Sequence, residues 1–296
     1  MTQTKTIQVS PPAKINLYLD VVGRRDDGYH ELETVFLPLP GLCDEIEVCL
    51  TETRQGISLE CDTPELPTDS ENLCVKAAEK FAKFANSALP EGLGVEIRLQ
   101  KRIPVAAGLG GGSSDAAAVL LALNQLCADP LSDSQLSGIA VKLGADVPFF
   151  LNPVPSVARG IGEILTPLEV GEWGPAVVLA NPLVPISSVW AYGQLTPKDY
   201  GQKGGIERVV EAIAGESVSG LAKACYNVFD RFVCRKFPLC AMIKERMMDS
   251  GAPLAMVSGS GPTVFGICED LEDASKIAVG LREFFGDAIW ICVLDR

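Results

Sequence analysis

The sequence predicts an α+β fold, because strand and helix patterns mix along the chain without the regular rhythm of a doubly wound sheet. Apolar and polar residues alternate with a period of two at residues 15–21, 46–50 and 95–99, which is typical of half-buried strands. Between the last two of these strands, apolar residues recur at helical spacing over residues 73–84. Helices and strands therefore follow one another in irregular order.

The middle of the chain adds two helices to this pattern. One is predicted over residues 116–124, opening at Ser113 and Ser114. Ser132 followed by Gln135 has the pattern of a capping box that begins another helix, for which Gly144 is a candidate C′ residue.

The second half of the chain continues the mixture. Its predicted elements are a strand at 177–180, helices around 206–213, 221–231 and 239–249, a strand–loop–strand at 255–268, a helix near 271–283 and a last strand to residue 293. A proline-rich segment at 152–155 changes the rhythm of the chain. We expect a domain boundary there, with an N-terminal domain at 1–155 and a C-terminal domain at 156–296.

Composition and charge exclude several classes of protein. The net charge is −13, which disfavours binding to nucleic acid, since the phosphate backbone needs a basic surface. No stretch reaches the roughly 20 apolar residues of a membrane span, and the N-terminus lacks the apolar region of a secretory signal. The ten cysteines contain no C-x-x-C pair. These features predict a cytoplasmic protein without disulfides or structural zinc.

The segment from Pro104 to Ser114 is the main functional signal. It contains four glycines in five residues and lies between a predicted strand and a predicted helix. Glycines let a ligand approach the backbone closely, and the first N–H groups of a helix attract anions. The hydroxyls of Ser113 and Ser114 can cap the helix, contact phosphate or reach a Mg²⁺ ion. The pattern therefore indicates an anion site at the start of a helix.

Three better-known phosphate-binding loops do not match this segment. A Walker A loop requires a lysine after the last glycine, and none is present. A Rossmann fingerprint read from Gly108 ends on Ser113 instead of glycine, and Pro104 interrupts its approach. The protein-kinase loop would be followed by H-R-D and D-F-G sequences, which are missing. A flexible linker is the remaining alternative, and the regular strand and helix patterns on both sides disfavour it.

Six segments of the chain, in order, resemble motifs of one enzyme family. Residues 12–17 (PAKINL), 108–114 (GLGGGSS) and 258–261 (SGSG) resemble the three motifs of the GHMP kinases. Within these kinases, three further segments resemble the 4-diphosphocytidyl-2-C-methyl-D-erythritol kinase family: 23–33 (GRRDDGYHELE), 144–150 (GADVPFF) and 160–163 (GIGE). The resemblance runs from about residue 10 to residue 268.

The resemblance implies a fold and an activity. The fold would have two domains, the first like ribosomal protein S5 domain 2 and the second ferredoxin-like. The activity would be ATP-dependent phosphorylation of the 2-hydroxyl of 4-diphosphocytidyl-2-C-methyl-D-erythritol, in the non-mevalonate route to isoprenoid precursors. Mg²⁺ is expected with ATP, and the motifs assign it no ligand. The partners would be these small molecules, with no nucleic acid or membrane, and the oligomeric state stays open.

The resemblance also implies two catalytic residues, Lys14 and Asp146. Read alone, Lys14 is a lysine on the polar face of a strand, and Asp146 is a turn or cap residue. In the family the lysine is the partner of a catalytic aspartate, whose carboxylate it would hold ionised while polarising the attacking hydroxyl. A carboxylate is a weak base at neutral pH, so we expect positioning and electrostatics to supply more of the rate.

The ATP site and its supporting motif follow from the same resemblance. The expected ATP-binding residues are Asn72, Lys101, Pro104, Gly108, Leu109, Gly110, Gly111, Gly112, Ser113 and Ser114. Asn72 and Lys101 would line the adenine pocket, although Asn72 also suits the first turn of a helix. In the third motif, Gly259, Ser260 and Gly261 would stabilise the glycine loop or reach phosphate.

The expected substrate-binding residues are Asn16, Tyr29, His30, Ser188 and Tyr192. Tyr29 and His30, the latter the single histidine of the chain, would recognise the cytosine end of the substrate. Ser188 stands where family members usually carry threonine. Tyr192 either stacks on cytosine or belongs to the core of a helix, and the sequence favours neither.

Two alternatives stay open at this point. The chain could act on a different acceptor, like the homoserine or mevalonate kinases among the GHMP kinases. It could also be a nucleotide-binding protein without chemistry.

Overall fold

The structure is a computed structural model that describes residues 5–52, 55–84, 93–170, 174–201 and 205–295. Its strands are β1 (Lys5–Val9), β2 (Pro12–Arg24), β3 (His30–Cys43), β4 (Glu45–Thr51), β5 (Ile57–Cys61), β6 (Gly94–Gln100), β7 (Ser156–Gly160), β8 (Ile164–Pro167), β9 (Ala176–Asn181), β10 (Tyr226–Asn227), β11 (Leu254–Val257), β12 (Val264–Cys268) and β13 (Trp290–Leu294). Its α-helices are α1 (Leu73–Phe84), α2 (Gly111–Leu126), α3 (Asp133–Ala140), α4 (Ser188–Tyr192), α5 (Ile206–Ala214), α6 (Val218–Ala224), α7 (Asp230–Lys236), α8 (Pro238–Asp249) and α9 (Leu271–Phe285). Short 3-10 helices lie at Val147–Leu151, Pro197–Asp199 and Gly286–Ala288. The predicted α+β class is confirmed.

The chain divides into two compact units, each built from separate stretches of sequence. The first unit comprises Met1–Ala13, Leu42–Ile103 and Gly110–Pro153, and the second comprises Lys14–Gly41, Pro104–Leu109 and Val154–Arg296. Residues 14–41 and 104–109 therefore group with the C-terminal half of the chain. The predicted domain boundary after residue 155 stays a prediction.

The first unit is a four-stranded sheet covered by helices. The strand order is β1–β4–β6–β5, and only the β5–β6 pair is parallel, with α1 in the connection between those two strands. The alternating residues of β4 and β6 pair directly, as Leu50 with Val95 and Val48 with Ile97, and all four are buried. Helices α1 and α2 pack on this apolar side of the sheet.

Helix boundaries in the first unit differ from the predictions in two places. Helix α2 begins at Gly111, before the predicted Ser113, because Gly110 takes a left-handed φ of 75° and completes the turn. The capping box at Ser132 and Gln135 is confirmed. Helix α3 nevertheless ends at Ala140, so Gly144 is not its C′ residue.

The second unit contains two sheets. One has the order β10–β2–β3–β7–β8, and the other has the order β11–β12–β9–β13 with every pair antiparallel. Helices α8 and α9 pack on the second sheet, and its order of elements along the chain is β–α–β–β–α–β, with additional helices in the first crossover. This arrangement is ferredoxin-like, as expected.

Residues 221–231 do not form the single helix predicted for them. The chain instead forms the end of α6, the two-residue strand β10 and the start of α7. The apolar residues that suggested one helix, Val228 and Phe229, are buried in the core of the second unit. Strand β10 pairs in parallel with β2, so sheet hydrogen bonding outweighs the local helical pattern.

Strand β2 is buried on both faces, although its alternation predicted a half-buried strand. Ile15 and Leu17 on one face and Lys14 and Asn16 on the other are all at most 3% exposed. Within the described ranges, none of the helices combines the length and hydrophobicity that a transmembrane span requires. All ten cysteines are free thiols.

Candidate active site

Lys14 and Asn16 form a buried polar pair on β2. The ammonium Nζ of Lys14 donates a 2.6 Å hydrogen bond to Oδ1 of Asn16, and Nδ2 of Asn16 donates a 2.8 Å bond to Oγ1 of Thr34 on β3. Nζ of Lys14 also lies 5.2 Å from the ring centre of Phe36. A buried ammonium is tolerated when hydrogen-bonded, so Lys14 is held in place and is not a solvated surface charge.

Asp146 lies at the start of the 3-10 helix Val147–Leu151 in the first unit. Its side chain makes no capping hydrogen bond to that helix, but the residue occupies the N-cap position within a turn, as the turn-or-cap alternative predicts. The helix itself is apolar, with Val147, Phe149 and Phe150 buried, while Asp146 keeps partial exposure. The backbone therefore places Asp146 beside a buried apolar helix.

The glycine loop, Gly108–Ser114, has two left-handed residues, Gly108 and Gly110, each with φ of 75°. Gly110 is the N-cap of α2 and offers no side chain to the first amides of that helix. The N–H groups at the first turn of a helix lack intrahelical acceptors, and they carry the positive end of the helix dipole. This geometry suits an anion, as the sequence predicts.

The two serines of the loop have different surroundings. Oγ of Ser114 donates a 2.7 Å hydrogen bond to the carbonyl of Pro12, and Ser114 is 1% exposed. Ser113 is only half-buried. Ser114 therefore ties α2 to the residue that begins β2, and Ser113 is the more accessible hydroxyl.

The third motif contacts the glycine loop directly. Oγ of Ser258 donates a 2.9 Å hydrogen bond to the carbonyl of Gly108, and a Cβ at Gly108 would lie only 2.2 Å from the carbonyl oxygen of Ser258. Gly259 lies close to the pair on β2, because its Cβ would lie 3.4 Å from Oδ1 of Asn16. The backbone N–H of Lys14 donates to the carbonyl of Leu109. The structure thus brings residues of the first and third motifs and the loop start together within the second unit.

Ser260 and Gly261 complete the third motif. Oγ of Ser260 lies 3.0 Å from Oγ of Ser188, so the serine that replaces the family threonine does make a polar contact. Gly261 has a left-handed φ of 83° and precedes Pro262 through a cis peptide bond.

Lys101 belongs to a buried ion cluster. Its ammonium contacts the carboxylates of Asp44 and, at 2.7 Å, Asp115. Burial would lower the pKa of Lys101, but Asp115 and Asp44 more than offset this effect and raise it. A Cβ at Gly111 would lie 3.2 Å from Nζ of Lys101, so the cluster lies directly under the start of α2.

Asp115 carries the strongest electrostatic perturbation in this cluster. Burial, together with the negative charge of Asp44, raises its pKa to about 7 despite the opposing charge of Lys101. Asp44 is better satisfied, since its Oδ1 also accepts hydrogen bonds from the backbone N–H groups of Arg102 and Ile103.

Asn72 is placed as the N-terminal cap of α1. Its Oδ1 accepts a 2.9 Å hydrogen bond from the N–H of Cys74, and its Nδ2 donates to the carbonyl of Pro67. The structure thus places Asn72 just before Leu73, as the cap of α1 and not within its first turn. Pro104, at the start of the loop, is half-buried.

His30 and Tyr192 stack in the second unit. Their ring centres lie 5.1 Å apart with planes inclined by 30°, and Tyr192 also packs edge-on against the buried Phe229. Burial, followed by the positive charge of Arg24, lowers the pKa of His30. Tyr29 is 61% exposed. Tyr192 thus contacts both the core and His30. These contacts are compatible with stacking on cytosine and with a place in the core of a helix.

Sequence reasoning missed the residues that hold these groups in place. Thr34, Asp44 and Asn227 are buried polar residues whose partners lie far away in the sequence. A polar residue within an apolar strand pattern is the signal that could have found Thr34. No comparable signal marks Asp44, which follows a strand as turn residues commonly do.

Comparison with known proteins agrees with this geometry. Residues 72–152 match the family model described as the GHMP kinases N terminal domain, and residues 236–287 match GHMP kinases C terminal. The 4-diphosphocytidyl-2-C-methyl-D-erythritol kinase of Geobacter sp. (strain M21) is 41% identical over 93% of this chain and 93% of its own length.

Two solved structures extend the comparison. A crystal structure of 4-(cytidine 5'-diphospho)-2C-methyl-D-erythritol kinase matches with a TM-score of 0.79 and 36% identity, over 98% of this chain and 100% of that one. Homoserine kinase from Cytophaga hutchinsonii has a TM-score of 0.76 over 98% of this chain and 94% of its own, but only 21% identity, so it shows the two-domain fold alone. The chain therefore belongs to the GHMP kinases and, among them, to the 4-diphosphocytidyl-2-C-methyl-D-erythritol kinase family.

Proposed function

We propose that this protein transfers the γ-phosphoryl group of ATP to the 2-hydroxyl of 4-diphosphocytidyl-2-C-methyl-D-erythritol, giving the 2-phosphate and ADP. The observation that carries the proposal is the identity of 41% with a kinase of that name over 93% of both chains. The reaction would serve the non-mevalonate route to isoprenoid precursors.

Lys14 and Asp146 are the proposed catalytic residues. Phosphoryl transfer depends mainly on positioning and on charge stabilisation, with one group to orient the acceptor hydroxyl. Asp146 would take that role, and the ammonium of Lys14 would polarise the hydroxyl. The hydrogen bond from Lys14 to Asn16 supports this assignment, because it fixes the ammonium before substrate arrives.

The loop Gly108–Ser114 would hold the phosphates of ATP. Its left-handed glycines and the uncapped start of α2 present backbone N–H groups, and Gly259–Gly261 would keep the loop in position. Mg²⁺ would accompany ATP. Within the described residues, no group of three or more His, Cys, Asp or Glu side chains could cage a metal. A Mg²⁺ ion held mainly by the nucleotide phosphates keeps several waters and needs no such cage of protein side chains.

Tyr29, His30, Ser188 and Tyr192 would bind the acceptor, with Asn16 near the reacting hydroxyl. The tilted contact of the His30 and Tyr192 rings supports a site for a flat base, since it gathers aromatic surface on which a base could pack. At the nucleotide, Asn72 and Lys101 would border adenine.

We also propose that the protein acts in the cytoplasm on small molecules, without nucleic acid or membrane partners. The ten free thiols suit a reducing compartment, and the net charge of −13 disfavours nucleic acid.

An ADP-release assay with three acceptors tests the proposed activity. The purified protein would receive ATP and Mg²⁺ with 4-diphosphocytidyl-2-C-methyl-D-erythritol, mevalonate or homoserine. We expect ADP only with the first, and a new phosphomonoester signal at its 2-position in ³¹P NMR. Turnover of mevalonate or homoserine without turnover of the first acceptor would refute the proposed substrate. ATP binding without turnover of any acceptor would indicate a nucleotide-binding protein without chemistry.

A further inference from the structure

Asn227 is a buried polar residue with no assigned role. It ends the two-residue strand β10 and pairs with Leu19 of β2, and it is 3% exposed. Its side chain faces the end of β11 and the third motif. A polar group buried this deeply is retained only when its hydrogen bonds are satisfied.

The amide of Asn227 is satisfied by the backbone around the third motif. Nδ2 donates one hydrogen bond of 2.7 Å to the carbonyl of Val257 and another of 2.8 Å to the carbonyl of Gly259. Oδ1 accepts a 2.9 Å bond from the N–H of Phe229. Two donors and one acceptor on a short side chain are the property of asparagine. Aspartate has the same shape but accepts only, so it would face two carbonyl oxygens with no hydrogen to share.

The two carbonyls that Asn227 holds flank Ser258, the residue that reaches the glycine loop. Oγ of Ser258 donates to the carbonyl of Gly108, and the N–H of Thr263 donates to the carbonyl of Ala107. Asn227 is therefore linked to the loop through its hydrogen bonds to the backbone of residues 257 and 259 and through the bond from Ser258, which lies between them, to Gly108. Every step lies within the second unit.

The contact at the end of this series leaves no room for adjustment. A Cβ at Gly108 would lie 2.2 Å from the carbonyl of Ser258, and a Cβ at Gly259 would lie 3.3 Å from the carbonyl of Gly108. The two backbones thus touch at both glycines. A shift of a few tenths of an ångström in the third motif has to move the loop.

We propose that Asn227 is a positioning residue for nucleotide binding, which sets the glycine loop by fixing the backbone on either side of Ser258. It acts through the loop and touches neither substrate. The inference rests on the proposed function only in naming ATP as the ligand of that loop.

Substitution of Asn227 by aspartate tests the role. We expect Asn227→Asp to raise the Kd for ATP by about tenfold, the effect of losing one or two net hydrogen bonds. The KM for the acceptor should change less than the Kd for ATP, because the lost bonds hold the backbone at Val257 and Gly259 and not an acceptor residue itself. ATP binding is measured by calorimetry without acceptor, so a failure of the proposed acceptor activity leaves this result readable.

Asn124 supplies a matched control. It is also buried, its Nδ2 donates to the carbonyl of Leu131, and its Oδ1 accepts from the N–H of Leu131, but these bonds hold a turn at the far end of α2. Asn124→Asp should lower Tm comparably and leave the Kd for ATP unchanged. If both variants weaken ATP binding equally, Asn227 is merely structural and the proposal is wrong.

A double-mutant cycle tests the route through Ser258. Ser258→Ala removes the bond to Gly108, so its effect on the Kd for ATP should be non-additive with that of Asn227→Asp. Additive effects, or wild-type ATP affinity in Asn227→Asp, would overturn the proposal. If the aspartate variant does not fold, Asn227→Ser, which keeps one donor, replaces it under the same criteria.

Discussion

The ammonium of Lys14 donates a 2.6 Å hydrogen bond to Oδ1 of Asn16, and this bond determines which way the Asn16 amide points. Nδ2 of Asn16 is then directed to Oγ1 of Thr34, which itself donates a 2.6 Å bond to the carbonyl of Tyr18. The orientation of the ammonium is thus fixed from β3, through a residue that contacts no proposed ligand.

Replacement of Thr34 by valine should disturb this arrangement without changing the shape of the core. The buried amide of Asn16 would lose its acceptor, at a cost of about 1–3 kcal/mol in the free energy of unfolding. We expect kcat to fall by about tenfold with little change in the KM for ATP, since the loss concerns the ammonium's position. Thr34→Ser keeps the hydroxyl and should restore kcat. Equal kcat in the valine and serine variants would show that the Thr34 hydroxyl does not position Asn16 and Lys14.

Gly108 and Gly112, both in the loop Gly108–Ser114, should respond differently to substitution by alanine. Gly108→Ala places a Cβ 2.2 Å from a backbone oxygen in a left-handed conformation, so we expect loss of ATP binding and a lower Tm. At Gly112 the nearest atom would be Cδ1 of Leu73 at 3.7 Å, an ordinary contact, and the position is helical. Gly112→Ala should keep Tm or raise it by a few degrees. Thermal melts with and without ATP check both, and a stable Gly108→Ala with normal affinity would be the contrary result.

The sequence predicted the fold class and the loop because their patterns are local, whereas the third motif was predicted only from its resemblance to the GHMP kinases. Gly110 turns the chain within a few residues, and alternation marks β4 and β6 wherever they pair. The remainder depends on contacts between distant residues. Asp44 and Lys101 form an ion pair although they are 57 residues apart in the sequence, and no local sequence pattern at either residue predicts this contact.

Residues 221–231 show the same limit for secondary structure. Their apolar spacing suits a helix, yet pairing of β10 with β2 at Tyr18 and Leu19 decides the outcome. Likewise, alternation on β2 revealed two faces but not that both become buried, since burial of Lys14 and Asn16 depends on what the rest of the fold places over them.

Removal of the cation from the buried cluster should be more damaging than removal of one anion. Lys101→Met leaves Asp44 and Asp115 together without a counter-charge, and breaking a buried pair in this way costs about 3–5 kcal/mol in the free energy of unfolding. Asp115→Asn keeps the Lys101–Asp44 pair and removes a carboxylate that resists ionisation. We therefore expect it to cost far less at pH 8, as measured by urea unfolding. A larger loss for Asp115→Asn than for Lys101→Met would contradict this ranking.

The same cluster predicts a pH dependence of stability. The pKa of Asp115 is raised from its ordinary 3.8 to about 7, so between those values the folded state binds more protons than the unfolded state. The contribution of Asp115 to stability therefore falls as pH rises through that window. Relative to Asp115→Asn, wild type should lose stability between about pH 4 and pH 7. Parallel pH profiles for the two proteins would exclude a raised pKa.

The single histidine allows a direct measurement at the acceptor end. Burial and Arg24 lower the pKa of His30, so the one imidazole signal in a ¹H NMR titration should have its midpoint below 6.5. Tyr192→Leu removes the stacked ring and should move the midpoint back towards 6.5, while the control Tyr29→Leu, at an exposed residue, should not. A midpoint at or above 6.5 in wild type would contradict the burial of His30.

Substitution of Asp146 by asparagine tests the chemistry most directly. Asparagine keeps the size of the side chain at this N-cap position, so the change should leave Tm and the Kd for ATP close to wild type. If the carboxylate orients or deprotonates the acceptor hydroxyl, kcat should fall by about 10²–10⁴-fold. Asp133→Asn, at an exposed aspartate of α3, changes the net charge equally and should retain full activity. Normal turnover by Asp146→Asn would remove this residue from the mechanism, and only Lys14 would then remain of the proposed catalytic pair.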